Sequence, residues 1–312
     1  MQANEVKKAL IVGAGVMGHS IAQVFAQAGI DVALVDVDEK TLQHALQLIE
    51  HNLETLAELG KLSIPPRAVL EKIHISTDLI SAAKGAEFAL EAVAEVPDVK
   101  RKVFEILDEA CPPEAILASN TSTLDIFEII RVSRPDRLIT AHWFAPPHII
   151  PLVEVAPGPE TAPEVVKFTA DLMKRLGKTP VVMKKFVPGY IVNRIQNYIS
   201  FVVFDMLQNG LADPEQIDLA VKLSLGVRLP TVGVVQTMDF TGLDLVRQIT
   251  RNNGLENRLI EEKVARGHLG AKTSKGLYDY GGRTEEEILK KRDRLYLGVL
   301  DHLQQTTEFK PV

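Results

Sequence analysis

The stretch from Ala9 to Asp36 constrains the fold more than any other part of the chain. Ala9-Leu-Ile-Val12 is a short continuous apolar run, the pattern of a strand buried on both faces. Gly13-Ala-Gly15-Val16-Met17-Gly18 follows, Ser20–Ala28 reads as a helix ended by Gly29, and Val32-Ala-Leu-Val35 is a second buried strand closed by Asp36. A GxGxxG turn between strand and helix, with an acid at the end of the next strand, predicts a dinucleotide site. Gly13 permits the tight turn, Gly15 lets backbone approach a pyrophosphate, and Gly18 lets helix pack closely on strand. Val16 and Met17 lie in the same turn and join the three glycines as expected cofactor contacts, while the helix N-terminus offers unpaired N–H groups to the phosphates. A carboxylate at Asp36 accepts hydrogen bonds from ribose hydroxyls and repels a 2′-phosphate. Asp38 and Glu39 add negative charge, and Lys40 is the only cation nearby in sequence, so NAD is favoured over NADP. The plainer role for Asp36 is to cap the helix starting around Asp38.

Strand and helix continue to alternate. Glu39–Leu59 carries apolar residues at helical spacing and ends at Gly60, and Phe88–Val93, Ala115–Ala118 and Leu138–Ala141 read as further strands. This order predicts an α/β Rossmann-type domain with a mostly parallel sheet and helices on both faces. Val187-Pro188-Gly189 interrupts the pattern. Beyond it strand signals nearly vanish, and Tyr190–Gln208, Pro214–Leu223, Asp244–Asn252, Glu256–Arg266 and Thr284–Gln304 read as helices. The expected organisation is an NAD-binding domain over 1–187 and an all-α domain for substrate and dimerisation over 188–312.

Composition narrows the classes of partner. The chain has 46% apolar and 24% charged residues and a net charge of −6, with no basic stripe to meet nucleic acid or an anionic membrane. Its longest apolar runs, such as Ile199–Phe204, fall far short of a bilayer span. Met1–Lys8 is polar, unlike a secretory signal, and Cys111, the single cysteine, forms no internal disulfide or cysteine metal cluster. These features lead to the expectation of a soluble cytoplasmic protein acting on a small molecule without a metal.

A second informative stretch is Ala118-Ser-Asn-Thr-Ser-Thr-Leu124 followed by His142-Trp-Phe-Ala-Pro-Pro-His-Ile-Ile-Pro-Leu-Val-Glu-Val155. The twelve-residue spacing of His142 and Glu154, broken by Pro146, Pro147 and Pro151, cannot lie on one helix face. It suits two neighbouring strand ends joined by a loop. With these segments, Glu91-Ala-Val-Ala-Glu95…Lys100, Pro188-Gly-Tyr-Ile-Val-Asn-Arg194 and Lys272-Thr-Ser-Lys-Gly-Leu-Tyr278, the chain resembles the 3-hydroxyacyl-CoA dehydrogenase family over nearly its whole length. The resemblance implies that His142 is the general base for an alcohol proton while hydride leaves for NAD, and that Glu154 holds its other ring nitrogen. Ser122 and Asn193 correspond to residues that hydrogen-bond the substrate oxygen and the nicotinamide edge. Glu95, Lys100 and Lys272 match positions lining the cofactor.

Structural roles compete with each of these. His19, His44, His51 and His302 fall on predicted helices, and His148 lies close to His142 but outside the family's histidine position. Asn193 sits one turn before Asn197 on an apolar helix, where core hydrogen bonding would suffice, and Ser122 could cap a helix beginning at Thr123.

The chain also departs from the family pattern. Ala145 stands where the family usually has Asn, removing a polar contact near the cofactor, and the segment before Gly60 carries Glu50, Glu54 and Glu58 where basic residues normally meet coenzyme A. Lys61 is the nearest cation. Trp143 and Pro146–Pro151 are similar to the L-gulonate 3-dehydrogenase/λ-crystallin branch and to a branch acting on hydroxymethyl-pyridine carboxylates. The expected reaction is NAD-dependent oxidation of a secondary alcohol. An L-3-hydroxyacyl-CoA of fatty acid metabolism is the first substrate class, a free hydroxy acid the alternative, and a catalytically silent NAD-binding structural protein a third. The helix Tyr190–Gln208, apolar around most of its circumference, and the family resemblance both predict a homodimer joined through the helical domain.

Overall fold

The structure is a computed structural model that describes residues 2–307 and 309. The chain divides into two compact units, Met1–Tyr198 and Ile199–Val312. The first is built on an eight-stranded sheet: β1 Lys8–Val12, β2 Asp31–Val35, β3 Ile73–Ser76, β4 Phe88–Glu91, β5 Ile116–Ser119, β6 Leu138–Trp143, β7 Leu152–Pro157 and β8 Thr179–Val182. Their spatial order is β3-β2-β1-β4-β5-β6-β7-β8. β1 to β6 are mutually parallel, β7 runs antiparallel to β6, and β8 is parallel to β7. Six parallel strands in this order form the mostly parallel Rossmann sheet that the alternating pattern predicts.

Alternate residues of the central strands enter opposite cores, as the two-residue period of a strand requires. Ala9, Ile11, Phe88, Leu90, Ile116 and Ala118 join one cluster with side chains of α1 (Gly18–Gln27) and α2 (Glu39–Glu58). Leu10, Val12, Ala89 and Leu117 enter the other. The helices α3 (Pro66–Leu70), α4 (Leu79–Ala83), α5 (Pro97–Ala110), α6 (Ile126–Ile129) and α7 (Pro163–Arg175) fill the connections. Asp38 caps α2 by accepting from the Lys40 and Thr41 N–H groups, so Asp36 is not its cap. The strand expected over Phe88–Val93 stops at Glu91, where a buried carboxylate turns the chain.

Two strands carry weak sequence signals. β3 has only four residues, Ile-His-Ile-Ser, and β8 is a largely exposed edge strand holding Pro180, tolerable because an edge leaves one side of the ladder unpaired.

The helix expected from Tyr190 begins at Val192, and Tyr190 itself is buried in the preceding turn. This helix, α8 (Val192–Gln208), crosses the division between the units. The second unit continues with α9 (Pro214–Leu223), α10 (Leu225–Thr241), α11 (Leu243–Asn252), α12 (Arg258–Ala265) and α13 (Glu285–Thr307). α10 has no counterpart in the sequence-based expectation. It contains Pro230 and is kinked at Gly233, where φ is 70°, so it lacks a clean helical signature. The buried carboxylate of Asp239 accepts from the backbone N–H groups of Leu277 and Tyr278 and from the Tyr280 hydroxyl, which fixes the turn following Lys272. Among the described residues, no helix is long and apolar enough to cross a membrane.

Candidate active site

At the carboxyl end of β1, Gly13 adopts φ 100° and a Cβ there would lie 2.6 Å from the Ala92 carbonyl oxygen. A Cβ on Gly18 would meet the Gly13 carbonyl oxygen at 1.6 Å, so helix and turn touch through backbone alone. Beside Gly15 the space is open, and Val16 is 76% exposed at the turn's outer edge. Met17 is half-buried against the core. A cavity of about 740 Å³ adjoins this turn, walled by Gly13, Gly15, Asp36, Val37, Val99 and Ile106 among others. Asp36 accepts from the Ala14 N–H at 2.8 Å and from the Asp38 N–H at 3.2 Å. A glycine cradle that side chains would fill, beside an apolar cavity walled by a carboxylate, fits the adenosine and pyrophosphate of NAD. Lys102 lines this cavity too, a cation that the sequence around Asp36 does not reveal.

The second half of the site lies at β5, β6 and β7. His142 and Glu154 are directly paired across the antiparallel β6–β7 ladder. Both side chains are buried, and His142 Nδ1 lies 3.0 Å from Glu154 Oε2. The other Glu154 oxygen accepts from the N–H groups of Ile191 and Val192 at 3.0 and 3.1 Å, donors that the start of α8 would otherwise leave unpaired. His142 Nε2 is 3.3 Å from Ser122 Oγ. Ser122 caps no helix: α6 starts at Ile126 and is capped by Asp125. Asn193 is half-buried on the first turn of α8 and its side-chain amide makes no hydrogen bond among the described residues, so core bonding of that amide does not account for it. The structure thus places His142, Glu154 and Ser122 in one chain of contacts. His148 is bound elsewhere, its Nδ1 2.8 Å from Ser20 Oγ, and burial, His19 and Lys178 lower its pKa.

Behind Ser122 stands a charge network that includes residues with no assigned role in the sequence. Lys100 is almost wholly buried, with Nζ 2.7 Å from Glu91 and 3.1 Å from Glu95. Its ammonium is therefore enclosed by carboxylates. Glu91 also accepts from Ser119 Oγ at 2.6 Å and from the Val93 N–H at 2.8 Å; burial pushes its pKa up against the pull of Lys100. Glu95 Oε1 gathers Thr121 Oγ1 and the N–H groups of Ser122 and Thr123. Burial pushes its pKa up, yet these bonds and Lys100 prevail and hold it at about 2. Asn120 Oδ1 accepts from the Trp143 N–H at 2.8 Å, tying the β5 and β6 ends together. Glu91 could have been found from sequence: a carboxylate in the otherwise apolar strand Phe-Ala-Leu-Glu must have buried partners. Lys272 lies in the second unit, paired there with Asp244 at 2.6 Å.

Residues 8–186 match the family model "3-hydroxyacyl-CoA dehydrogenase, NAD binding domain", and residues 189–280 match its C-terminal domain. Among curated proteins, the 5-formyl-3-hydroxy-2-methylpyridine 4-carboxylate 5-dehydrogenase of Mesorhizobium japonicum is 30% identical, covering 94% of this chain and 97% of its own. A 3-hydroxybutyryl-CoA dehydrogenase of Clostridioides difficile is 34% identical over 88% of this chain and 99% of its own. Among solved structures, a 3-hydroxyacyl-CoA dehydrogenase of Archaeoglobus fulgidus superposes with a TM-score of 0.76 at 30% identity, covering 94% of this chain and 99% of the other. The glycine cradle and the two-domain match agree: the chain belongs to the 3-hydroxyacyl-CoA dehydrogenase family of NAD-dependent oxidoreductases.

Proposed function

We propose that the protein oxidises the secondary alcohol of an L-3-hydroxyacyl-CoA to the 3-ketoacyl-CoA, with His142 as general base. The observation that carries this reading is the buried His142–Glu154 pair with Nε2 left facing Ser122. The carboxylate at Nδ1 selects the tautomer protonated there and leaves the Nε2 lone pair free to take a proton. Ser122 Oγ orients the substrate oxygen toward that nitrogen, and the uncommitted Asn193 amide offers a further donor and acceptor. As the imidazolium forms, the adjacent Glu154 charge stabilises it. NAD, held by the Gly13–Gly18 turn and Asp36, supplies the hydride acceptor. In this reading residues 1–187 bind NAD and residues 188–312 contribute to substrate binding and dimerisation.

A second reading, a free hydroxy acid, rests on one observation. Glu50, Glu54 and Glu58 are exposed at four-residue intervals on α2, forming one acidic stripe where coenzyme A phosphates would approach. Relatives named for a thioester and for a pyridine carboxylate are both present, and the thioester stands first because both family models are those of 3-hydroxyacyl-CoA dehydrogenase and salt screening limits the penalty of an exposed acidic stripe. The test is kcat/KM for 3-hydroxybutyryl-CoA against free 3-hydroxybutyrate and larger free hydroxy acids, at low and high salt. A thioester preference supports the first reading. A free acid favoured by more than about tenfold, roughly 1.4 kcal/mol, overturns it.

The same reading places the protein in cytoplasmic fatty acid metabolism as a homodimer. The dimer is supported by the side chains α8 leaves exposed, Tyr198, Phe201 and Phe204 above all, which are 67–75% accessible in the single chain.

A further inference from the structure

Tyr190 combines features that its place in a turn does not require. It has φ 48°, a left-handed conformation rare for a bulky side chain, and yet is wholly buried. Its ring lies face to face with the His142 imidazole, centroids 4.4 Å apart and planes 10° apart, while Phe144 meets the same imidazole edge-on. Its hydroxyl donates to the Thr121 carbonyl at 2.9 Å. The residues around it are equally committed: the Gly189 N–H donates to the Ser122 carbonyl, and the Ile191 and Val192 N–H groups donate to Glu154. Four consecutive residues thus contact the serine loop, the histidine and the glutamate, and the strained backbone of Tyr190 is what aims its ring between them.

We propose that Tyr190 is a positioning residue whose ring face fixes the His142 imidazole and stabilises the imidazolium formed during turnover. This inference rests on His142 being the base. The alcohol loses its hydroxyl proton to His142 Nε2 and its carbinol hydride to NAD, so the imidazole gains one positive charge. The negative face of an aromatic ring within about 6 Å attracts such a cation, most strongly where water is excluded. A ring that packed only for volume would give no preference to the charged form. Burial raises the pKa of the Tyr190 phenol, which keeps its hydroxyl a donor to the Thr121 carbonyl.

The test uses the full-length enzyme with Tyr190→Phe, Tyr190→Leu, and phenylalanines of increasing ring fluorination at position 190, which keep the shape but drain the ring face of negative charge. Tyr190→Leu should lower kcat by about tenfold while NADH affinity by fluorescence stays unchanged. Tyr190→Phe should recover most of that loss. Along the fluorinated series kcat should fall stepwise toward the leucine level. In NMR of the cofactor-free protein, the His142 ring protons should lose an upfield shift in Tyr190→Leu. A fluorinated series with constant kcat, in an enzyme that His142→Ala inactivates, overturns the inference and leaves the base assignment standing. Full activity of His142→Ala overturns both. Should the leucine variant fail to fold, the fluorinated series still decides.

Discussion

The two units of the molecule bury themselves to different degrees. In the first, β4, β5 and β6 are buried at every position, and Phe25, Phe88 and Trp143 are at most 2% exposed. In the second, Ile217, Ile260 and Ile288 are the only buried residues of α9, α12 and α13, while α8, which crosses into it, has none. The difference teaches where precision comes from. The glycine turn, Asp36, Ser122, His142 and Glu154 all stand at strand ends of a sheet packed on both faces, whereas the helical unit as a single chain leaves large apolar side chains in water. An exposed apolar face of that size is what the proposed homodimer would cover.

Paired phenylalanine substitutions can break this comparison. Phe88 is fully buried and stacks on Phe25, so Phe88→Ala should cost about 3–5 kcal/mol in urea unfolding. Phe201, 72% exposed, should cost under about 1 kcal/mol when truncated in a dissociated chain, since little of it is packed there. The double variant Phe201→Glu/Phe204→Glu should weaken self-association by about 10²-fold or more in sedimentation. A wild-type chain that sediments as a monomer at micromolar concentration removes the dimer from the account.

A smaller effect sharpens the cofactor half. Wild type should bind NAD at least about tenfold more tightly than NADP, roughly 1.4 kcal/mol, if the Asp36 carboxylate on this cavity meets the ribose hydroxyls as proposed and so repels a 2′-phosphate. Asp36→Ala should narrow that gap, since Lys102 on the same cavity then stands without the carboxylate opposite it. Equal affinities in the wild type would remove Asp36 from the ribose.

Glu95 tests the serine loop through pH. Its folded-state pKa of about 2 lies below the ordinary 4.5, so the stability it adds is present above pH 4.5 and lost as pH falls toward 2. The urea midpoint of wild type should exceed that of Glu95→Gln at pH 6, and the gap should close through that window. A gap independent of pH would mean that the Thr121–Thr123 loop is not held by charge.

Local chemistry made part of this legible from sequence alone. The β1 turn and α1 were visible because glycine spacing and a strand buried on both faces admit few alternatives. The His142–Glu154 pair could be placed on adjacent strand ends because three prolines exclude a helix. Glu91, Glu95 and Lys100 stood close together in the sequence, but their bonds to Ser119 and to the Thr121–Thr123 loop were invisible, since those partners lie 26 to 28 residues away and meet them only once β4 and β5 pair. Tyr190 was hidden for another reason: its helical neighbours gave it a helical pattern, while tertiary contacts hold it at positive φ. The kink of α10 masked that helix in the same way.

The proton-transfer assignment at β6 and β7 is the centre of the account, and kcat of His142→Ala tests it most directly. Loss of a general base lowers turnover by about 10²–10⁴-fold, and NADH affinity should not change because His142 is no part of the glycine cradle. Glu154→Gln should cause a smaller loss of the same kind by weakening the imidazolium. Near-normal kcat in His142→Ala, with the fold intact, would contradict the account.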